Sequence, residues 1–264
     1  AGERREIKKL GLAPLTSMFF HGENTRRFFD DFRPEVHDSD GLLVQFASGE
    51  WLWRPLDNPE QLSITSFDAD DLLGFGLLQR DRSFSSYEDL ETRAELRPSV
   101  WVQPLNAWGK GRVELVEIPT RSDTNDNVVT YWVPAAPVKP GKPIEVAYRM
   151  LWYGDDLERP PLARVVATRQ DSGDTEGAQR FVVDFAGPEL EEIPADEVVH
   201  GALVVRPEED VELLGQQVRK NPITGGWRLT FQVRPKTKEV ADLRARLHLG
   251  GRALTEIWAY QLRP

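Results

Sequence analysis

Three acidic stretches carry the side chains with which general acid–base chemistry could be done: Arg33-Pro34-Glu35-Val36-His37-Asp38-Ser39-Asp40-Gly41, Tyr87-Glu88-Asp89-Leu90-Glu91-Thr92-Arg93 and Arg121-Ser122-Asp123-Thr124-Asn125-Asp126-Asn127. Carboxyl groups in this number suit glycosidic hydrolysis, in which one protonated acid donates to the leaving oxygen while another group activates water. Asp89 is the preferred acid candidate, because Tyr87 could help desolvate it and Glu88 or Glu91 could raise its proton affinity by like-charge repulsion. The competing reading is a solvated loop with local ion pairs. Arg93 and Arg97 fit that reading as well as they fit the orienting of a carboxylate or the binding of sugar hydroxyls. His37 beside Asp38 and Asp40 suggests a metal site or a proton relay, against a hydrogen bond that organises a loop; His21, His200 and His248 form no ligand spacing with it. Asp123, Asn125, Asp126 and Asn127 have the oxygen-rich chemistry of a calcium loop without its full pattern, and turn formation is the stronger reading.

A second feature is aromatic. Gly49-Glu50-Trp51-Leu52-Trp53-Arg54-Pro55-Leu56 sets two indoles at alternate positions beside a guanidinium. In a strand, Trp51 and Trp53 then share one face and could stack on sugar rings while Arg54 hydrogen-bonds hydroxyls; an aromatic core ladder has the same spacing. Trp101 reads as a sheet residue, while for Trp108, near Lys110 and Arg112, core packing and sugar stacking stay open.

Other chemistries are disfavoured. There is no Gly-x-Ser-x-Gly elbow, no phosphate-binding loop and no dinucleotide fingerprint, and no cofactor or metal is expected. The absence of cysteine excludes disulfides and thiolate chemistry. With Asp and Glu at 43 against Lys and Arg at 33, a net charge of -10 argues against nucleic acid. No run approaches the roughly 20 apolar residues of a membrane helix, and Ala1-Gly2-Glu3-Arg4-Arg5 is not followed by a signal-peptide apolar segment, so no membrane insertion is expected.

The elements that must position these groups read as antiparallel β-structure. A short charged helix is allowed over Glu3–Leu12, then a strand over Leu15–Phe20, a hairpin pairing Leu42–Phe46 with Trp51–Trp53, and strands over 62–67, 74–79, 99–103, 112–118 and 127–133. Asp68–Leu73 could add one helical turn, and Ser85–Leu96 a short helical turn or an irregular loop. Pro134-Ala135-Ala136-Pro137-Val138-Lys139-Pro140-Gly141-Lys142-Pro143 is dense in proline and reads as an extended connector, placing a domain over 1–133, a linker over 134–143 and a second domain over 144–264. Seven or eight short strands in the latter, at about 144–153, 164–168, 179–185, 199–205, 211–219, 227–233, 242–249 and 255–261, fit an immunoglobulin-like sandwich. Trp227, after the turn Asn221-Pro222-Ile223-Thr224-Gly225-Gly226, is expected in its core.

Taken in order, Leu12–Phe19, Arg33–Leu42, Gly49–Leu56, Gly74–Arg80, Tyr87-Glu88-Asp89-Leu90, Gly109–Thr120, Thr124–Asn127, Asn221-Pro222 with Gly226–Leu229, and Glu256–Leu262 resemble the periplasmic glucan biosynthesis proteins G and D, the MdoG/OpgG-like family. The resemblance covers nearly the whole chain. It implies an all-β fold, here the C-terminal part of a large antiparallel β-sandwich followed by an immunoglobulin-like one. It also implies a periplasmic location and β-1,2-linked glucan as partner. Most of the larger domain and any export signal would then precede Ala1, or a companion chain would be needed. Some D-type members are inverting β-1,2-glucan hydrolases, and by this resemblance Asp89 carries the general-acid role in the loop with Tyr87 and Glu88, with Arg93 beside it. Trp51, Trp53 and Arg54 would shape the glucan cleft, and the base stays unassigned. The rivals are a noncatalytic glucan-binding or assembly protein, and a structural tandem-sandwich fragment.

Overall fold

The computed structural model describes residues 9–27, 29–139, 141, 143–155 and 159–263. Residues 3–8 of the helix expected at the start lie outside this set, as do Pro140 and Lys142 of the connector. Ten strands of the described residues precede the connector: β1 (Leu12–Ser17), β2 (Phe19–His21), β3 (Val36–His37), β4 (Gly41–Phe46), β5 (Trp51–Pro55), β6 (Ser63–Ala69), β7 (Leu72–Leu78), β8 (Ser99–Pro104), β9 (Gly111–Glu117) and β10 (Val128–Pro134). Nine follow: β11 (Tyr148–Tyr153), β12 (Arg164–Ser172), β13 (Gln179–Ala186), β14 (His200–Arg206), β15 (Val211–Lys220), β16 (Trp227–Pro235), β17 (Ala241–Leu249), β18 (Arg252–Ala253) and β19 (Ile257–Leu262). Two short helices are α1 (Phe84–Tyr87) and α2 (Pro188–Glu192).

A nine-stranded sheet, ordered β11-β8-β7-β4-β5-β19-β17-β14 with β18 on β17, forms the middle of the molecule. Four-stranded sheets β1-β10-β9-β6 and β12-β13-β16-β15 complete two hydrophobic cores with it. Because side chains alternate along a strand, successive residues enter different cores. Leu42, Val44, Leu52 and Ala259 pack with β1, β9 and β10, while Leu43, Trp51, Trp53, Trp258 and Tyr260 pack with β13 and β16. This double coverage explains the apolar run Leu42-Leu43-Val44 of β4. Strand pairing crosses the connector twice: β11 runs antiparallel to β8, and β19 runs parallel to β5, with Trp258 opposite Trp53. The chain is thus largely β, in several sheets.

The helical turn allowed over Asp68–Leu73 is not formed. β6 pairs with β9 and β7 with β4 and β8, so Asp70 and Asp71 carry the chain between sheets, and the acidic pair sits exposed at that corner. Trp227 is buried and donates its indole N–H to the Leu190 carbonyl (3.1 Å), as the turn before it predicts.

Strand glycines make room for the indoles. A Cβ on Gly74 would run into the Trp101 ring, and one on Gly41 into that of Trp53. Gly74→Ala is therefore expected to cost about 1–3 kcal/mol in urea unfolding through overpacking. Gly215→Ala, where a Cβ meets nothing within 4 Å, should stay within about 0.5 kcal/mol of wild type.

Candidate functional site

Glu88 ends α1 in the left-handed region (φ 53°), which turns the chain so that Asp89 faces inward. The Asp89 carboxylate accepts the backbone N–H groups of Glu91 (2.8 Å) and Thr92 (3.1 Å) and the Thr92 hydroxyl (2.8 Å). A fourth donor arrives from far along the chain, Arg33 Nη1 at 3.2 Å. Donors that favour the ionised form lower a carboxyl pKa. The Thr92 N–H, the Thr92 hydroxyl, the Glu91 N–H and Arg33 together hold Asp89 at about 2.

Arg33 organises the surrounding loops. It pairs with Asp31 through Nε (3.0 Å) and Nη2 (2.7 Å), and its Nη1 donates to Asp123 (2.9 Å) as well as to Asp89. Its fork geometry allows one side chain to hold three carboxylates, and the Arg33 hydrogen bonds lower Asp31 to about 2. Asp38, Asp89, Asp123, Arg33, Arg97 and Tyr87 line a common cleft. Arg97 pairs with Asp38 (3.2 Å), yet burial raises the Asp38 pKa despite this cation.

His37 forms the floor. Its Nε2 lies 2.9 Å from Glu35 and its Nδ1 3.1 Å from Gln79 and 3.4 Å from Asp40, while Phe19 stacks on the ring and Tyr87 meets it edge-on. Burial works against a charged imidazole, but the Glu35 hydrogen bond and the Asp40 and Glu35 charges outweigh it, raising His37 to about 9. Gln79 Nε2 donates to the Tyr87 hydroxyl (2.7 Å), which donates to the Asp81 carbonyl (3.2 Å). Behind this floor a small cavity reaches Val165–Thr168 of the post-connector segment. There Glu23, raised to about 7 by burial against the pull of Arg169, accepts the Thr168 N–H.

Of the residues read as candidates, Asp89 and Tyr87 come together in the cleft, with Tyr87 wholly buried in its wall. Glu88 and Arg93 are exposed on the flanking turns, Arg93 paired with Glu95 (2.5 Å). Trp51 and Trp53 are buried; Trp51 stacks on Trp101, and Trp53 lies under the Arg80 guanidinium, 3.6 Å from its ring centroid, and borders the rear cavity. Arg54 is buried too, 3.2 Å from Glu117 and 5.1 Å over the Tyr260 ring. Trp51 and Trp53 therefore pack in the core shared with β13 and β16, and Arg54 ties β5 to β9 through Glu117. His37 takes the hydrogen-bonded organising role, and Asn127 fixes a turn through the Phe19 backbone N–H (2.8 Å). Sequence reasoning gave no role to Arg33, whose only signal was its position at the head of an acidic run.

A sheet-built protein whose loops close an acidic cleft around one arginine is the class these features define. The family described as "Periplasmic glucan biosynthesis protein, MdoG" matches residues 3–262. "Glucans biosynthesis protein G" of Ralstonia nicotianae (strain ATCC BAA-1114 / GMI1000) is 47% identical over 272 residues, covering 99% of this chain and 53% of that protein. The chain belongs to this periplasmic glucan biosynthesis family, as its ordered motifs indicated, and a periplasmic location goes with that membership. It spans about half the length of the curated relative it matches. Among the described residues no helix is long and apolar enough to cross a membrane.

Proposed function

We propose that this chain binds β-1,2-linked glucan in the Arg33 cleft and serves glucan biosynthesis as a binding or assembly protein, without cutting the polymer itself. The observation that carries the reading is the ionised Asp89, held by four donors beside Arg33, Arg97, Asp38 and Asp123. Such a cleft offers acceptors and donors to sugar hydroxyls, and the family supplies the glucan. Hydrolysis by an inverting acid–base mechanism is a second reading, favoured by the gathering of the Asp38, Asp89 and Asp123 carboxyl groups in one cleft. In it a bound sugar displaces donors from Asp89, which then acts as acid, while the base comes from another part of the whole protein or from a companion chain. We also propose that residues 144–264 form an immunoglobulin-like unit and residues 1–133 part of a larger sandwich joined by the 134–143 linker; each part supplies most of one core, while Leu43, Trp51, Trp53, Leu78, Trp101 and Ala259 pack across the division.

Calorimetry with a linear β-1,2-glucooligosaccharide, run beside a reducing-end assay, tests both readings. Binding without new reducing ends, weakened about tenfold in Asp89→Asn by loss of charge-assisted hydrogen bonds, is the expected result. Reducing ends that vanish in Asp89→Asn while binding persists would establish the hydrolase reading. Absence of any binding would overturn both.

A further inference from the structure

The outer face of the β14–β17 pair carries a feature the glucan cleft does not use. Alternation sends Leu243, Ala245 and Leu247 into the core and turns Arg244 and Arg246 outward, opposite Val204 and Ala202, while Arg206 stands one inward-facing residue further along β14. The three guanidinium-bearing residues line one cavity of about 320 Å3, with Ala202, Val204 and Ile257 contributing apolar surface. Glu50 and Asp242 also border it, yet among the described residues none of the three arginines forms an ion pair with a carboxylate. Some exposed arginines elsewhere have carboxylate partners, Arg180 with Asp171 (2.9 Å) and Arg228 with Asp184 (2.7 Å), and what sets this face apart is the gathering of three guanidinium groups on one cavity. Like charges gathered on one sheet face repel, and here they gather in a chain of net charge -10, where carboxylate partners are abundant. Such a cluster is stabilised by an anion that draws on all three forks.

We propose that this cavity binds the phosphate group of a small phosphate ester, apart from the glucan cleft and independently of it. Three guanidinium groups offer about fifteen N–H donors, well beyond the roughly four lone-pair sites of a single carboxylate. A phosphate ester brings more acceptor oxygens and up to two negative charges. The exposed Val204 side chain (46%) with Ile257 and Ala202 gives the carbon portion an apolar floor. The ester is a soluble monoester or the diester of a lipid headgroup, since both present anionic phosphate oxygens to the guanidinium groups.

Isothermal titration with glycerol 1-phosphate, and co-sedimentation with phosphatidylglycerol vesicles against phosphatidylcholine ones, test the site in the whole chain. Arg244→Gln/Arg246→Gln changes only outward-facing positions, and an unchanged thermal melt confirms its fold. The expected result is saturable binding in at least one arm, weakened tenfold or more in the double variant and by added salt, with neutral glycerol inert. Binding in the first arm identifies a soluble ester and binding in the second alone a lipid headgroup. Equal behaviour of wild type and variant in both arms, or binding to neutral glycerol or zwitterionic phosphatidylcholine as strong as to the anionic probes, overturns the proposal.

Discussion

Arg80→Ala is expected to lower the stability of the chain by about 3–5 kcal/mol, and Glu256→Ala by a similar amount, because each leaves an unpaired charge in a dry interior. The Arg80 and Glu256 side chains are 5% and 0% exposed. Arg80 Nη2 donates to Glu256 Oε2 (3.0 Å), its Nη1 to the Val165 carbonyl (2.9 Å), and its guanidinium lies over the Trp53 ring. Glu256 Oε1 also accepts the Val165 N–H (2.8 Å). The pair therefore fastens the end of β7 to β12 and to the approach of β19, joining strands from both sides of the connector. In a double-mutant cycle, Arg80→Met with Glu256→Gln should be less damaging than the sum of the singles by about 1–3 kcal/mol, since glutamine keeps an acceptor for Val165 while neither charge remains. Urea unfolding of the four proteins is the measurement. Additive effects would mean that the two side chains stabilise the junction separately.

Much of this arrangement was legible in short-range pattern. The hairpin read from Leu42–Phe46 and Trp51–Trp53 is β4 and β5, and strands read at 99–103, 179–185 and 227–233 lie within two residues of β8, β13 and β16. Period-two alternation also put Trp51 and Trp53 on one face. What it could not give is what covers that face. Both sides of β5 are buried, one by β1, β9 and β10 and the other by the post-connector core, so an i, i+2 pair of indoles suited to sugar stacking became packing instead.

The cleft divides the same way. The local part of the Asp89 environment, an Asp followed three residues later by Thr, is a turn signal contained in the sequence. Its consequence for protonation rests partly on Arg33, 56 positions away, and like-charge repulsion from Glu88 does not develop because Glu88 turns outward on its left-handed residue. Long-range partners decide the charge state of a site, and a single sequence does not order them. Arg80 is a second case: in sequence it stands beside Asp81 and Arg82 in a mixed-charge stretch, while Glu256, its partner, lies 176 positions away.

Between about pH 6.5 and pH 9.5 the chain is expected to lose on the order of 3 kcal/mol of stability through His37 alone, with His37→Gln flat above about pH 8. The ring is buried among Glu35, Asp40, Gln79, Phe19 and Tyr87, and its two carboxylate neighbours raise its pKa from 6.5 to about 9. A folded pKa above the unfolded one means that the folded chain binds the proton more tightly. Stabilisation is then complete below 6.5 and disappears as pH climbs through 9. Glu23, raised from 4.5 to about 7, acts with the same sign but in a lower window, so measurements above about pH 8 isolate the histidine. Near neutrality His37→Gln should already be less stable than wild type, because Glu35 and Asp40 lose the cation between them. Guanidinium unfolding at half-unit pH steps would test this, and equal slopes in the two proteins would show that His37 is neutral in the folded chain. Glu35 and His37 also line the Arg33 cleft, so loss of the imidazolium should loosen its floor. Oligosaccharide affinity is therefore expected to weaken with the same midpoint, near pH 9, and to lose that dependence in His37→Gln.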